Sequence, residues 1–97
     1  MNVLDRDVKF RYQLLDRMRQ DVGYCRRLLL SAKEDKNESN ADFILDNHLW
    51  GGRDSHFSTM KDILNSFSEE EQPEWYSLQQ LEHDKAELEE LSGLTIG

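Results

Sequence analysis

The amino-acid sequence predicts an all-α fold: a small bundle of three to four helices with a long N-terminal helix. Within each apolar segment, the apolar residues recur at steps of three and four, which places them on one face of a helix. No segment shows the alternation of apolar and polar residues that is typical of a strand. The length of 97 residues fits a single helical domain over residues 1–97, with a thin core.

The first helix is predicted over residues 4–33. Gly23 lies inside it and costs about 1 kcal/mol relative to Ala, so it indicates a kink or a close helix contact. A polar loop follows over residues 33–40, because this stretch has no apolar residue to anchor it. The apolar stripe of the first helix contains Leu4, Val8, Leu15, Met18, Val22, Cys25 and Leu29, and Leu14 and Leu28 widen it.

The second helix is predicted over residues 41–50, and Gly51–Gly52 ends it. We expect Trp50, together with Trp75 further along the chain, to be a large anchor of the core that buries about 200 Å². The residues expected to face the core are Phe43, Ile44, Asn47, Leu49 and Trp50.

The third helix is predicted from about residue 54 to residue 67, and a turn at Ser68–Glu71 follows it before Pro73. Its apolar face consists of Phe57, Met60, Ile63, Leu64 and Phe67.

The fourth helix is predicted to begin after Ser77, with Gln80 as the partner in a capping box, and to end at Gly93. A short flexible tail is expected over residues 93–97. The apolar line of this helix contains Leu78, Leu81, Leu88 and Leu91.

The sequence contains no recognisable catalytic or metal-binding pattern. The three histidines form no H-x-x-x-H pair, and a zinc site needs about four nitrogen or sulfur ligands. Cys25 lies in the apolar stripe and is interpreted as a small buried hydrophobic residue. His83, Asp84 and Glu87 suggest an acid–base group only weakly, since a solvated polar face explains them better. Asp42 and Asp46 are an equally weak cation site. We therefore expect no enzyme activity, no metal and no cofactor.

Charge is distributed unevenly along the chain. The formal net charge is -8, which argues against direct binding of nucleic acid. Residues 1–27 have seven basic and four acidic residues, whereas residues 28–97 have five basic and sixteen acidic ones. The arginines of the first helix are interpreted mainly as partners of the acidic half, rather than as a nucleic-acid patch.

An acidic cluster is the strongest compositional signal. Residues 68–90 hold nine carboxylates and a single basic residue, Lys85. Carboxylates on a rigid frame imitate a row of phosphates and compete for a basic groove, although a solubilising surface has the same composition. The predicted partner-binding residues are Glu69, Glu70, Glu71, Glu74, Glu82, Glu87, Glu89 and Glu90.

Other features predict the surroundings of the chain. No apolar run approaches the roughly 20 residues needed to cross a bilayer, so no membrane association is expected. Residues 1–7 lack the apolar centre of a signal peptide, and one cysteine forms no internal disulfide. The sequence therefore predicts a cytoplasmic protein of a bacterial host. A homodimer is also predicted as an option, because Leu30 falls off the apolar stripe of the first helix.

Three strings carry a family resemblance. They are Y-Q-L-L-D-R-M-R-Q-D at residues 12–21, H-L-W-G-G at residues 48–52, and M-K-D-I-L-N-S-F at residues 60–67 running on to P-E-W at residues 73–75. In this order the strings resemble a large polyvalent protein-associated domain of phages and conjugative elements. The resemblance covers about residues 10–90, with residues 31–47 as an insertion, and it supplies no catalytic residue.

The resemblance implies a protein of a mobile genetic element. Small acidic proteins of such elements often disarm host defence, so it implies an anti-CRISPR-like inhibitor of a host nucleic-acid-handling protein, such as a Cas9-type effector nuclease. The alternative is a helical protein-interaction or dimerisation module without inhibitory activity.

Overall fold

The computed structural model describes residues 6–34 and 41–97. In this part of the chain there are four α-helices and no strand: α1 (Val8–Glu34), α2 (Ala41–His48), α3 (His56–Ser66) and α4 (Leu78–Ser92). Short 3-10 turns at Gly52–Asp54 and Glu69–Glu71 connect them. The predicted all-α bundle with a long N-terminal helix is confirmed. The predicted contribution of Leu4, and most of the predicted loop at residues 33–40, lie outside the described residues.

Helix α1 is the spine of the bundle and packs against each of the other three helices. It continues through Gly23 and ends at Glu34, so Lys33 and Glu34 are helical rather than part of a loop. A Cβ atom added at Gly23 would meet nothing within 4 Å, so no close helix contact explains this glycine. The buried stripe of α1 consists of Arg11, Leu15, Met18, Val22, Cys25 and Leu29.

Helix α2 buries a different face from the predicted one. Ile44 and Leu49 are buried as expected, and Leu45 is completely buried with them. Phe43 and Asn47 are exposed, and Phe43 keeps 63% of its surface accessible. The prediction that they face the core is wrong, because the helix has an apolar residue on both sides and only one side meets α1.

The two tryptophans are also outside the core. Trp50 is 54% exposed and Trp75 is 42% exposed, so the prediction that both are buried anchors is wrong. Phe57, which is 1% exposed, and Tyr76, which is 4% exposed, supply the large buried rings instead. Trp50 lies two residues beyond the end of α2, and Trp75 lies in the bend between the second 3-10 turn and α4, so neither belongs to the packed face of a helix.

Helix α3 buries the predicted face, since all five of its predicted apolar residues are buried. A 3-10 turn follows it, and the residue before this turn, Ser68, donates its backbone N–H to the Glu71 carboxylate (2.9 Å). Tyr12 of α1 donates its hydroxyl to the backbone carbonyl of Glu71. The first of these hydrogen bonds closes the turn on the residue before it, and the second attaches the turn to α1.

Helix α4 begins and ends where the sequence predicts. The Ser77 hydroxyl accepts the backbone N–H of Gln80 (3.1 Å), and Gly93 ends the helix in the left-handed conformation. Leu81 and Leu88 are buried, whereas Leu78 is 39% exposed. Ile96, beyond the helix, is 2% exposed, so the last residues contribute a core side chain that the sequence did not predict.

Candidate functional site

The eight predicted glutamates fall into two groups of different burial. Glu71, Glu87 and Glu89 are partly buried, and each has a partner within the fold. The remaining five are exposed, and we call them the exposed glutamates: Glu69, Glu70, Glu74, Glu82 and Glu90.

The partly buried glutamates stabilise local structure. Glu71 accepts the backbone N–H of Ser68, as described above, and Glu89 accepts the backbone N–H of Ile96 (2.9 Å), which holds the chain end against α4. Glu87 lies 3.7 Å from the guanidinium of Arg26 and joins α4 to α1. This ion pair is one of the predicted contacts between the arginines of α1 and the acidic half.

The glutamates of α4 do not share one face. Successive residues of a helix are rotated by about 100°, so Glu87 and Glu89 project about 160° apart. Glu82 lies on the same side as Glu89, while Glu90 points between the two sides. The exposed glutamates are therefore a loop cluster at residues 69–74 and two separate positions on α4, rather than one continuous plane.

A groove runs between α1 on one side and α4, with the chain that leads into it, on the other. We call it the Trp75 groove; it encloses about 460 Å³. A second depression of about 350 Å³ adjoins it and shares Arg19 and Trp75 with it. The groove lining combines acidic, basic and aromatic side chains: Arg19, Val22, Gly23, Arg26, Trp75, Tyr76, Gln80, His83, Asp84 and Glu87.

Trp75 stands between the two depressions with one ring face covered by Arg19. The Arg19 guanidinium carbon is 5.1 Å from the centroid of the indole ring, which is a cation–π distance. Asp16 accepts from the same guanidinium, with 3.2 Å between the Arg19 Nε and the Asp16 Oδ1. The indole is thus held in place while 42% of the side chain stays accessible.

Asp84 is the hydrogen-bond acceptor at the base of the groove. The Tyr76 hydroxyl donates to its Oδ2 (2.8 Å), and the Gln80 amide donates to its Oδ1 (2.9 Å). Burial and the hydrogen bond to Asp84 raise the pKa of Tyr76. The two hydrogen bonds mean that Asp84 positions Tyr76 and Gln80. His83 is 3.7 Å from Asp84 and mostly exposed.

Cys25 has the environment of a core residue. Its side chain is completely buried, and burial raises the pKa of the thiol to about 12. The reactive thiolate is therefore scarce at neutral pH, and the interpretation of Cys25 as a small buried hydrophobic residue is confirmed.

The two aspartates that suggested a cation site hold an arginine instead. Asp42 Oδ1 is 2.6 Å from the Arg53 guanidinium, and Asp46 Oδ1 is 3.9 Å from it. Over residues 6–34 and 41–97, no group of three or more side chains is arranged to bind a metal ion.

Two buried polar residues were not predicted. Arg11 donates to the Ser66 hydroxyl (2.8 Å) and carbonyl (3.2 Å), and so joins α1 to the end of α3. His56 is completely buried between α1 and α2. A signal for both was present, because Arg11 precedes Leu15 by four residues and His56 precedes Met60 by four, which continues each apolar stripe.

Comparison with known families supplies the classification. Residues 8–88 match the family of large polyvalent protein-associated domain 11. The chain belongs to this family. The match includes α1, α2 and α3 and most of α4, together with all three strings that predicted the resemblance, and it associates the domain with mobile genetic elements. No curated protein and no solved structure gave a match. Among the helices described for this domain, none combines the length and the apolar character that a membrane crossing requires.

Proposed function

We propose that this domain is a non-enzymatic binding protein of a mobile genetic element, which inhibits a host nucleic-acid-handling defence protein by occupying its basic nucleic-acid-binding surface. The exposed glutamates carry this proposal, because their side chains are accessible and no ion pair holds them within residues 6–34 and 41–97. A net charge of -8 adds a long-range attraction toward a basic groove. The target class that we infer is a CRISPR effector nuclease of the Cas9 type.

The loop cluster at residues 69–74 supplies the contact that we consider central. Its carboxylates are held on a fixed turn, because Glu71 bonds to Ser68 and the Gln72 amide donates to the carbonyls of Leu64 (3.0 Å) and Phe67 (3.2 Å). A fixed turn loses little conformational entropy on binding. Charge pairs formed in a desolvated groove are worth about 1.5 kcal/mol or more, whereas pairs at the rim are worth less than about 1 kcal/mol.

The test is competition with DNA for a guide-loaded Cas9-type nuclease. We expect the domain to reduce DNA binding by the nuclease, and to bind it more weakly as salt increases. A triple variant with Glu69→Gln, Glu70→Gln and Glu74→Gln should slow association by about tenfold or more and change dissociation less. Glu71 is left intact because it stabilises the turn.

A second triple variant controls for net charge alone. Glu34→Gln, Asp54→Asn and Asp62→Asn remove the same amount of charge from exposed residues outside the cluster. We expect this variant to associate faster than the cluster variant. Equal rates for the two variants, or binding that is indifferent to salt, would contradict a role for the cluster. A domain that leaves DNA binding unchanged would contradict inhibition of this target.

The Trp75 groove favours a second candidate function, a protein-interaction module without inhibitory activity. A half-exposed tryptophan flanked by hydrogen-bonding side chains is typical of an interaction surface. The two candidates differ in one readout: a module of this kind binds its partner while the partner still binds nucleic acid.

A further inference from the structure

Gly23 lies in the middle of α1 and on the wall of the Trp75 groove. Glycine at an interior helix position costs about 1 kcal/mol relative to alanine. Packing does not require it, since an added Cβ atom would meet nothing within 4 Å. Its effect is to leave the groove open where any longer side chain would project into it.

The groove and the adjoining depression form one path along α1. Their linings extend from Tyr12 to Arg26, which is fourteen steps along the helix or about 21 Å. An extended chain advances about 3.3 Å per residue, so this path matches about six residues of extended peptide. Trp75 and Arg19 stand at its midpoint, since both depressions share them.

The walls of this path match a polypeptide better than a nucleic acid. Beyond the bonds that they make to one another, Arg26 and Gln80 keep further hydrogen-bond donors and Asp84 and Glu87 keep further acceptor sites, and a peptide main chain presents both kinds of group. The carboxylates of Asp16, Asp84 and Glu87 would repel a phosphate backbone. The exposed part of the Trp75 indole offers a surface for an apolar or aromatic side chain.

We propose that the Trp75 groove binds an extended peptide segment of a partner protein, about six residues long, with an aromatic side chain at its centre and basic residues on both flanks. The central side chain lies against Trp75 above Gly23. The basic flanks follow from charge complementarity, because the combined lining holds three carboxylates, Asp16 toward one end and Asp84 and Glu87 toward the other, against the guanidiniums of Arg19 and Arg26.

The test begins with selection from a phage-displayed library of linear peptides. Selected peptides are then synthesised and titrated into a Trp50→Phe variant, in which Trp75 is the single tryptophan and reports binding by its fluorescence. We expect peptides with one aromatic residue between basic residues, and a change in Trp75 emission on binding.

The variant Gly23→Leu fills the groove without harming the helix, because leucine is a far better helix former than glycine. We expect it to weaken peptide binding by about tenfold or more, a loss of about 1.4 kcal/mol, while the thermal midpoint stays at or above that of the parent. Ser31→Leu adds the same side chain to an exposed position of α1 outside the groove and should leave binding unchanged.

Several results would overturn the proposal. One is a library that yields no peptide with saturable binding; another is a set of peptides that bind Gly23→Leu as tightly as the parent. Binding of a single-stranded oligonucleotide that competes with the selected peptides would overturn the choice of ligand. The proposal is independent of the exposed glutamates, since the triple variant of residues 69, 70 and 74 should still bind the peptide.

Discussion

His56 is an uncharged imidazole whose two ring nitrogens connect separate parts of the chain. Its Nδ1 accepts the backbone N–H of Trp50 (2.8 Å), so the ring proton is on Nε2, which donates to the carbonyl of Met18 (3.0 Å). Burial lowers the pKa of His56 below its ordinary value of 6.5, although the hydrogen bond to the Met18 carbonyl and the charge of Asp21 oppose this shift. The fold therefore needs the neutral ring.

This requirement predicts a pH dependence of stability. Between the lowered pKa and 6.5 the unfolded chain binds a proton that the folded chain does not, so the free energy of unfolding falls as pH decreases below 6.5. His56→Gln should cost about 1–3 kcal/mol at pH 7.5 and remove most of this slope. Urea unfolding at several pH values between 5.5 and 7.5 measures both effects.

The exposed His83 provides the control for this measurement. His83→Gln should leave the pH slope of the parent unchanged, because the side chain is 70% accessible. A slope that persists in His56→Gln, or a parent that becomes more stable toward pH 5.5, would assign the pH dependence to other groups.

The aromatic residues predict a second contrast at the residue scale. Phe57→Ala should cost about 3–5 kcal/mol, because Phe57 is 1% exposed in the core. Trp50→Ala should cost less than about 1.5 kcal/mol, because its ring is 54% exposed. Thermal unfolding separates the two, and a Trp50 variant that unfolds as readily as the Phe57 variant would show that its indole belongs to the core.

Among the elements, α1, α3 and α4 were predictable from sequence in both position and buried face, whereas α2 was predictable in position but not in its buried face. The first three have one apolar face each, so the period of the apolar residues defines the buried side. The predicted segment at residues 41–50 has Ile44 and Leu49 on one side and Phe43 and Trp50 on the other, and periodicity does not say which side meets α1. Side-chain size is also a poor guide to burial here, because the smaller aliphatic side chains are buried and the larger aromatic ones are exposed.

For the candidate site, the sequence predicted which residues are acidic but not how they are arranged in space. The sequence identified the acidic residues, but Glu71, Glu87 and Glu89 proved to bond within the fold, which depends on where Ser68, Ile96 and Arg26 lie in space. The Trp75 groove had no sequence signal, because its walls come from residues about fifty to sixty positions apart along the chain.

Helix α1 carries a prediction of its own at Gly23. Gly23→Ala should raise the free energy of unfolding by about 1 kcal/mol, because the added methyl group meets open space and the helix loses its weakest residue. In a domain of this size that gain corresponds to about 4–8 °C in the thermal midpoint. A lower midpoint than the parent would mean that the groove wall is tighter than its geometry indicates.

At the scale of the whole molecule, net charge and exposed apolar side chains act in opposite directions. The charge of -8 keeps copies of the chain apart, while Leu30, Phe43 and Trp50 each expose an apolar side chain that a second copy could cover. We therefore expect self-association, which the sequence predicts as an option, to depend on ionic strength. Salt screens repulsion between like charges over a distance of about 10 Å at 0.1 M.

We expect salt to strengthen self-association and to weaken binding to a basic partner, because screening removes repulsion in the first case and attraction in the second. Sedimentation equilibrium at about 50 mM and 500 mM salt measures the first effect directly. Phe43→Ser together with Trp50→Ser should remove the salt-promoted dimer, whereas Ser58→Ala, at an exposed position of α3, should not. A dimer that dissociates as salt increases would instead be held by ion pairs between the basic residues of α1 and the acidic residues of a second copy, and the exposed aromatic residues would then be free to contact another protein.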